Sequence, residues 1–339
     1  MKIKISDGFR GVVSVSLNHK TIFTHASGYQ DLVNEIPNTY KTRFASASAG
    51  KIFVAVAILQ LIEKGVIQFN STLEELIPID WNDIDPKITV LQLLTHTSGI
   101  PDYFDESVMD NYSDLWQDFP NYNIRKTVDL FIMFLNKPMM YEKGTKFQYN
   151  NTGYVVLGRI IEIVSQQPFD EYLRNNVFMT ANMHQTGYFE LDRLPKQCAN
   201  HYIWDEAYKQ YYTNIYSVDA KGSGAGGAYT TAQDIESFWK ALLSYQLLSK
   251  TMTEHMLTVH IKQEQNDLYG LGVWFNGESI TAKQPYVTGY DTGVSFVSEY
   301  NRNNDCLITI LSNYGDDVWE ECYSIKKQLK QNKDNHETN

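Results

Sequence analysis

The feature that most constrains this chain is an unbroken apolar run, Ile52-Phe53-Val54-Ala55-Val56-Ala57-Ile58-Leu59-Gln60-Leu61-Ile62. It contains neither Pro nor Gly and stops just before Gly65, so it reads as a buried helix with a glycine beyond its C-terminus. It is too short to span a bilayer, and Glu63-Lys64 follow it directly. Ser48-Ala49-Gly50-Lys51 stands at its mouth. Residues three apart share a helix face, so the Ser48 hydroxyl lies beside the Lys51 amine at the helix N-terminus. A serine hydroxyl is a weak nucleophile until a base takes its proton. A lysine packed among apolar groups loses proton affinity and can be that base, or can hold another base as an anion. Free backbone N–H groups at the helix start suit a developing oxyanion.

A chain of 339 residues with 43% hydrophobic content is ample for a large core, as one big unit or two subdomains. The formal net charge of −11 argues against nucleic acid or an anionic membrane surface as partner. No stretch is apolar for long enough to span a membrane, and Met1-Lys2-Ile3-Lys4-Ile5-Ser6-Asp7 lacks the apolar core of a signal peptide. As given, the chain reads as cytoplasmic. Cys198, Cys306 and Cys322 are scattered and odd in number, which fits reduced thiols. The eight histidines form no metal-binding pattern, so no metal and no cofactor is expected.

Strand patterns occur at both ends of the chain. Residues 11–17 and 21–26 form a hairpin about Asn18-His19-Lys20, and Tyr269 to Phe275, Gly293 to Glu299 and Cys306 to Ser312 read as strands. Between them, helices are expected at Ile124 to Leu135, at Gly153 to Ser165, and from Gly226 through Leu243. A last helix covers Val318 to Leu329. The expected architecture is α/β of the α+β type. Segments 1–70 and 225–330 share one antiparallel sheet flanked by helices, 71–224 is a helical, loop-rich subdomain, and 331–339 is a flexible polar tail.

Tyr149-Asn150-Asn151 precedes the helix at Gly153. A tyrosine beside the Lys51 ammonium favours its phenolate and could take the serine proton. Asn151 offers a donor and an acceptor for a substrate amide or for the lysine, and it also suits a helix N-cap. His96 has no evident chemical role and reads as a hydrogen-bonded turn residue.

Taken together, these segments resemble the serine β-lactamase and penicillin-binding-protein superfamily, and the tyrosine in the second motif resembles its class C branch. Thr89-Val90-Leu91-Gln92-Leu93-Leu94-Thr95-His96-Thr97-Ser98-Gly99-Ile100-Pro101-Asp102, Gly226-Gly227-Ala228-Tyr229-Thr230-Thr231-Ala232-Gln233-Asp234 and Tyr269-Gly270-Leu271-Gly272-Val273-Trp274 are similar to further segments of that family, in family order. The resemblance implies a β-lactamase/transpeptidase-like fold and a serine acyl-hydrolase. Ser48, Lys51 and Tyr149 would be catalytic, with Asn151, Thr288, Gly289 and Tyr290 orienting substrate. The Ser48 and Tyr290 N–H groups would be the oxyanion donors. The implied partner is a small ester or amide, a D-amino-acid peptide or a β-lactam; the oligomeric state stays open. The family's cell-envelope address would apply if the chain is a processed form. One departure stands out: Val287 occupies the place of a Lys or His that serves the tyrosine or a substrate carboxylate. That gap leaves a second reading, a catalytically weak or inactive ligand-binding relative. A Gly-x-Ser-x-Gly esterase is excluded, because Gly222-Ser223-Gly224-Ala225-Gly226 lies in the wrong place.

Overall fold

The computed structural model describes residues 3–262, 268–277 and 284–337. The strand patterns at the two chain ends meet in one sheet. In chain order its strands are β1 (Gly11–Leu17), β2 (Lys20–Ser27), β3 (Ile261–Lys262), β4 (Leu268–Tyr269), β5 (Trp274–Asn276), β6 (Gln284–Asp291), β7 (Val294–Asn301) and β8 (Cys306–Ser312). They form an eight-stranded antiparallel sheet in the order β2-β1-β8-β7-β6-β5-β4-β3. The first strand therefore pairs with the last, Val12 opposite Leu311 through Leu17 opposite Cys306.

The sheet is covered on both faces because its strands carry apolar residues on both. Val13, Val15, Val297, Ile308 and Ile310 pack under Val318, Cys322 and Ile325 of the last helix. Val12, Phe296 and Leu311 join the larger cluster around α1 (Lys51–Glu63). Every residue of α1 from Lys51 to Leu61 is buried, as a helix apolar all round must be. Its end is the expected glycine stop: Gly65 has φ 69°, and Val66 N donates to Leu61 O at 3.0 Å. Beside α1 lie α2 (Asn151–Ser165) and α3 (Ala232–Leu243). Trp239 of α3 donates its indole N–H to Ser298 Oγ at 3.0 Å, giving a buried serine on the sheet a partner. No helix among the described residues is long and apolar enough to cross a membrane. All three cysteines are free thiols.

Several expectations need correction. Ile124 to Leu135 is not an α-helix; Thr127–Met133 forms tighter 3-10 turns. The Asp129 carboxylate takes the N–H groups of Arg125 and Lys126 there. The segment from Gly226 begins as extended chain, and its helix starts only at Ala232, where the Thr231 hydroxyl accepts Asp234 N at 3.1 Å. The strand Tyr269 to Phe275 is split into β4 and β5 by a turn containing Gly272, whose φ is 76°. Gln284–Asp291, which the alternation of residues does not mark as a strand, forms β6. The last helix, α4 (Val318–Glu337), runs past Leu329 through most of the 331–339 segment expected to be a loose tail. Thr338 and Asn339 lie outside the described residues.

One contact between layers positions everything below. The 3-10 turn Ala47–Gly50, which leads into α1, crosses the edge of β6 at Gly289. A Cβ on Gly289 would lie 2.2 Å from Ser46 O and 2.9 Å from the backbone nitrogens of Ser48 and Ala49. From the other side, a Cβ on Gly226 would lie 2.5 Å from Ala47 O. Ala47 itself has φ 43°, left-handed for a non-glycine residue and costly by roughly 1–2 kcal/mol. The crossing thus has no room for a methyl group in rigid backbone. Gly289→Ala should lower stability by about 1–3 kcal/mol or more through overpacking, read as a drop in the denaturant midpoint. A variant as stable as the parent protein would show that the turn can move away from the strand.

Candidate active site

Lys51, the first residue of α1, is only 2% exposed, and its amine is the meeting point of three chain segments. Nζ lies 3.0 Å from Ser48 Oγ, 2.8 Å from Asn151 Oδ1 and 2.5 Å from the carbonyl oxygen of Ala225. A neutral amine has two N–H donors and one lone pair. The amide and carbonyl oxygens absorb the two donors, which aims the lone pair at the Ser48 hydroxyl. Burial, partly offset by the negative field of Glu106, Asp102 and Asp291, brings the Lys51 pKa down to about 8. The free amine is therefore accessible near neutrality.

The partners of Lys51 are themselves fixed. Asn151 opens α2, and its Nδ2 donates to Phe104 O and Glu106 Oε1, each at 3.1 Å. That pair of bonds turns Oδ1 toward the lysine. The helix is capped by its neighbour Asn150, which accepts Gly153 N at 2.7 Å. So of the two readings of Asn151, the structure places it on Lys51 and gives the cap to Asn150. Buried Asp102 accepts the N–H groups of Asn151 at 2.7 Å and Thr152 at 3.0 Å. Burial still pushes its pKa up to about 6.

Tyr149 lines the same cleft as Ser48 and places its ring 4.9 Å from Lys51 Nζ. The ring stacks against His96, centroids 4.4 Å apart, and against Trp274, 5.9 Å apart. His96 accepts Asn150 N at Nδ1, at 3.0 Å, which leaves Nε2–H for the Tyr269 hydroxyl, also at 3.0 Å. Burial and the nearby Lys51 hold this imidazole neutral, with its pKa well below the usual value. His96 is thus the turn residue expected, and it also props the Tyr149 loop.

The protonation of Tyr149 departs from expectation. Desolvation and the Glu106 carboxylate raise its pKa well above the ordinary value, despite the nearby Ser48 hydroxyl. The phenolate pictured beside an ammonium is disfavoured, and Lys51 is the easier of the two to deprotonate.

These groups open onto a cleft of about 650 Å³ lined by Ser48, Tyr149, Asn151 and the edge of β6. Thr288, Gly289 and Tyr290 all lie on its wall. Thr288 Oγ1 donates to Phe296 O at 3.0 Å, Gly289 is buried at the crossing, and the Tyr290 side chain is 77% exposed. Strand alternation sends Val287 the other way, into the core at 4% exposure, while Tyr286 and Thr288 face the cleft. Two further carboxylates, Glu106 and Asp219, lie on loops and have nothing in their local sequence to mark them; Asp102 and Asp291, the latter at the end of β6, fall inside segments that resemble the family but were assigned no role there. No group of three or more metal-ligating side chains occurs among the described residues.

With this geometry in view, comparison with known proteins defines the class. A family model described as Beta-lactamase matches residues 4–330, and the chain belongs to that family. The crystal structure of a penicillin binding protein from Bacillus halodurans superposes with a TM-score of 0.89 at 37% identity, covering 95% of this chain and 96% of that one. PbpX of Bacillus subtilis (strain 168) is 26% identical over 308 residues, 90% of this chain and 71% of its own length. A D-amino acid amidase from Ochrobactrum anthropi SV3 shares the fold, with a TM-score of 0.79 at 20% identity over 96% of each chain.

The lowered Lys51 pKa sets a pH dependence. If the free amine accepts the serine proton, kcat/KM for a neutral ester should rise with pH through about 8, as Lys51 loses its proton, and then level off. A rise found only above pH 10 would instead assign the base to a Tyr149 phenolate.

Proposed function

We propose that the protein is a serine acyl-hydrolase that works through a Ser48 acyl-enzyme on a small ester or amide. The observation that carries this reading is the buried Lys51 amine 3.0 Å from Ser48 Oγ, with its N–H donors committed to Asn151 and Ala225. Ser48 Oγ attacks the carbonyl carbon while its proton passes to Lys51 Nζ. Tyr149, on the same cleft as Ser48 and beside Lys51, gives its phenol proton to the departing oxygen or nitrogen and regains one from Lys51. Water then attacks the acyl-enzyme with the same groups moving the proton, and the acid leaves. The N–H groups of Ser48 and Tyr290 hold the tetrahedral oxyanion, each worth about 3–4 kcal/mol in comparable sites. The approach of Gly289 to Ser48 N supports that pairing. Thr288 and Asn151 orient the substrate. The penicillin-binding name of the Bacillus halodurans relative and the amidase name of the more distant neighbour both fit a carbonyl compound attacked by a serine.

The test is covalent. After exposure to fluorescent penicillin and p-nitrophenyl acetate, intact-mass analysis should show one acyl adduct on Ser48. Ser48→Ala should carry none while keeping its fold, since at most a few tenths to about 1 kcal/mol of helix-start stabilisation is at stake. Tyr149→Phe should lower turnover by about 10²–10⁴-fold. A folded protein acylated by no donor would instead be a ligand-binding relative.

A further inference from the structure

Asn151 has no N–H to spare for a substrate. Its amide group carries two N–H donors and one acceptor oxygen. One N–H goes to Phe104 O and the other to Glu106 Oε1, each at 3.1 Å, while Oδ1 takes Lys51 Nζ at 2.8 Å. A substrate carbonyl that reaches for this amide must first displace one of the two acceptors.

The two acceptors are not equally fixed. Phe104 O belongs to backbone held by buried side chains: Asp102 Oδ1 takes Phe104 N at 3.4 Å, and Thr152 Oγ1 takes Tyr103 N at 2.9 Å. Glu106 is an exposed residue whose side chain lines the cleft, and its one hydrogen bond among the described residues is the bond to Asn151. It forms no ion pair among them either. Glu106 is therefore the acceptor that can swing away. Yet a hydrogen bond to a carboxylate is roughly twice as strong as one to a neutral carbonyl, so the exchange loses binding. An acyl chain without a second carbonyl makes no such exchange. The wall beside Glu106 suits a chain of that kind. Phe104, Met109 and Tyr112 line the cleft from the same segment, packed against the core, and the Phe104 and Tyr112 rings meet edge to face at 4.9 Å. They offer apolar contact to a hydrocarbon. No Lys or Arg among the described residues lines the cleft to pair with a carboxylate.

We propose that Glu106 is a specificity-determining residue: it turns the site toward acyl donors with a plain hydrocarbon chain and against donors whose chain carries an amide carbonyl next to the scissile one. This rests on the acyl-hydrolase reading of Ser48 and narrows the part played by Asn151. With Glu106 in place, Asn151 serves Lys51 first, and donates to substrate only after Glu106 is displaced.

The experiment uses two p-nitrophenyl esters of equal chain length, the N-acetylglycinate and the pentanoate, which differ in that amide alone. The quantity read is the ratio of their kcat/KM values, so each ester's own reactivity cancels when proteins are compared. Relative to the parent protein, Glu106→Ala should raise the N-acetylglycinate-to-pentanoate ratio about tenfold. Glu106→Gln keeps an oxygen that accepts the Asn151 N–H without a charge, and should raise the ratio by less. A disturbed Lys51 would slow both esters together and leave the ratio where it was. A ratio that stays constant or falls in the folded variants overturns the proposal, and if Glu106→Ala does not fold, Glu106→Gln decides alone. Intact-mass analysis with the pentanoate keeps the two readings apart. If Ser48 is acylated and the ratio does not move, only the role of Glu106 fails. If neither ester acylates Ser48, the acyl-hydrolase reading fails, and calorimetry of N-acetylglycinamide with Ser48→Ala, with and without Glu106→Ala, tests Glu106 by itself. Tighter binding once Glu106 is removed upholds its role, and equal affinity ends it.

Discussion

The architecture of this site depends on taking one amine out of water. Lys51 begins a helix whose every side is packed, so its side chain has no route to solvent and must find its partners inside. Those partners come from the turn before α1, the start of α2 and the loop at Ala225. An unpaired ammonium would be costly in such surroundings. The three oxygens make its burial tolerable, and the same desolvation that has to be met lowers its proton affinity. Structure and chemistry therefore draw on a single fact: what holds three segments together also makes the amine a usable base.

Around that nitrogen the protein builds a graded set of proton affinities. His96 is kept neutral by burial, Lys51 is brought near neutrality, and Tyr149 is kept protonated by Glu106 and desolvation. Groups whose environments push them apart in this way can pass a proton without competing for it. His96 touches no reacting atom, yet it ties the Asn150 backbone and stacks on Tyr149. Its effect on chemistry runs through the position of the phenol.

What could be read from sequence was what local pattern determines. The apolar run that became α1, its glycine stop, the strand patterns at both ends and the spacing of Ser48 to Lys51 are consequences of periodicity and backbone chemistry, and each has its counterpart in the structure. The failures share a cause: each was settled by distant residues. Ile124 to Leu135 carries its buried residues Thr127, Leu130, Phe131 and Phe134 at helical spacing, yet the chain there folds as 3-10 turns tied to a distant helix, Thr127 Oγ1 donating to Glu162 of α2 at 3.0 Å. The Tyr149 proton depends on burial by the packed fold and on Glu106, far away in the chain. Asp219 comes from a loop and Asp291 from the end of β6, and only their meeting in one cleft makes them notable. Val287 was read as a gap on the cleft wall because sequence gives the order of residues along a strand but not which face each occupies until the pairing is known.

The crossing of the Ala47–Gly50 turn over β6 divides the molecule into parts that can vary and parts that cannot. At positions 226 and 289 the space is already filled by backbone, so any side chain there would move the nucleophile's own peptide. The loop positions around Asp110 and Asp219 are under no such restriction and help set the charge and shape of the cleft, whereas Phe104 and Glu106 are tied to Asn151 and through it to Lys51. A laboratory search for new acyl donors would therefore do well to randomise those free positions and leave the two glycines alone. The scaffold behaves as a fixed anvil with an exchangeable die: diversification can change what is struck without disturbing the blow.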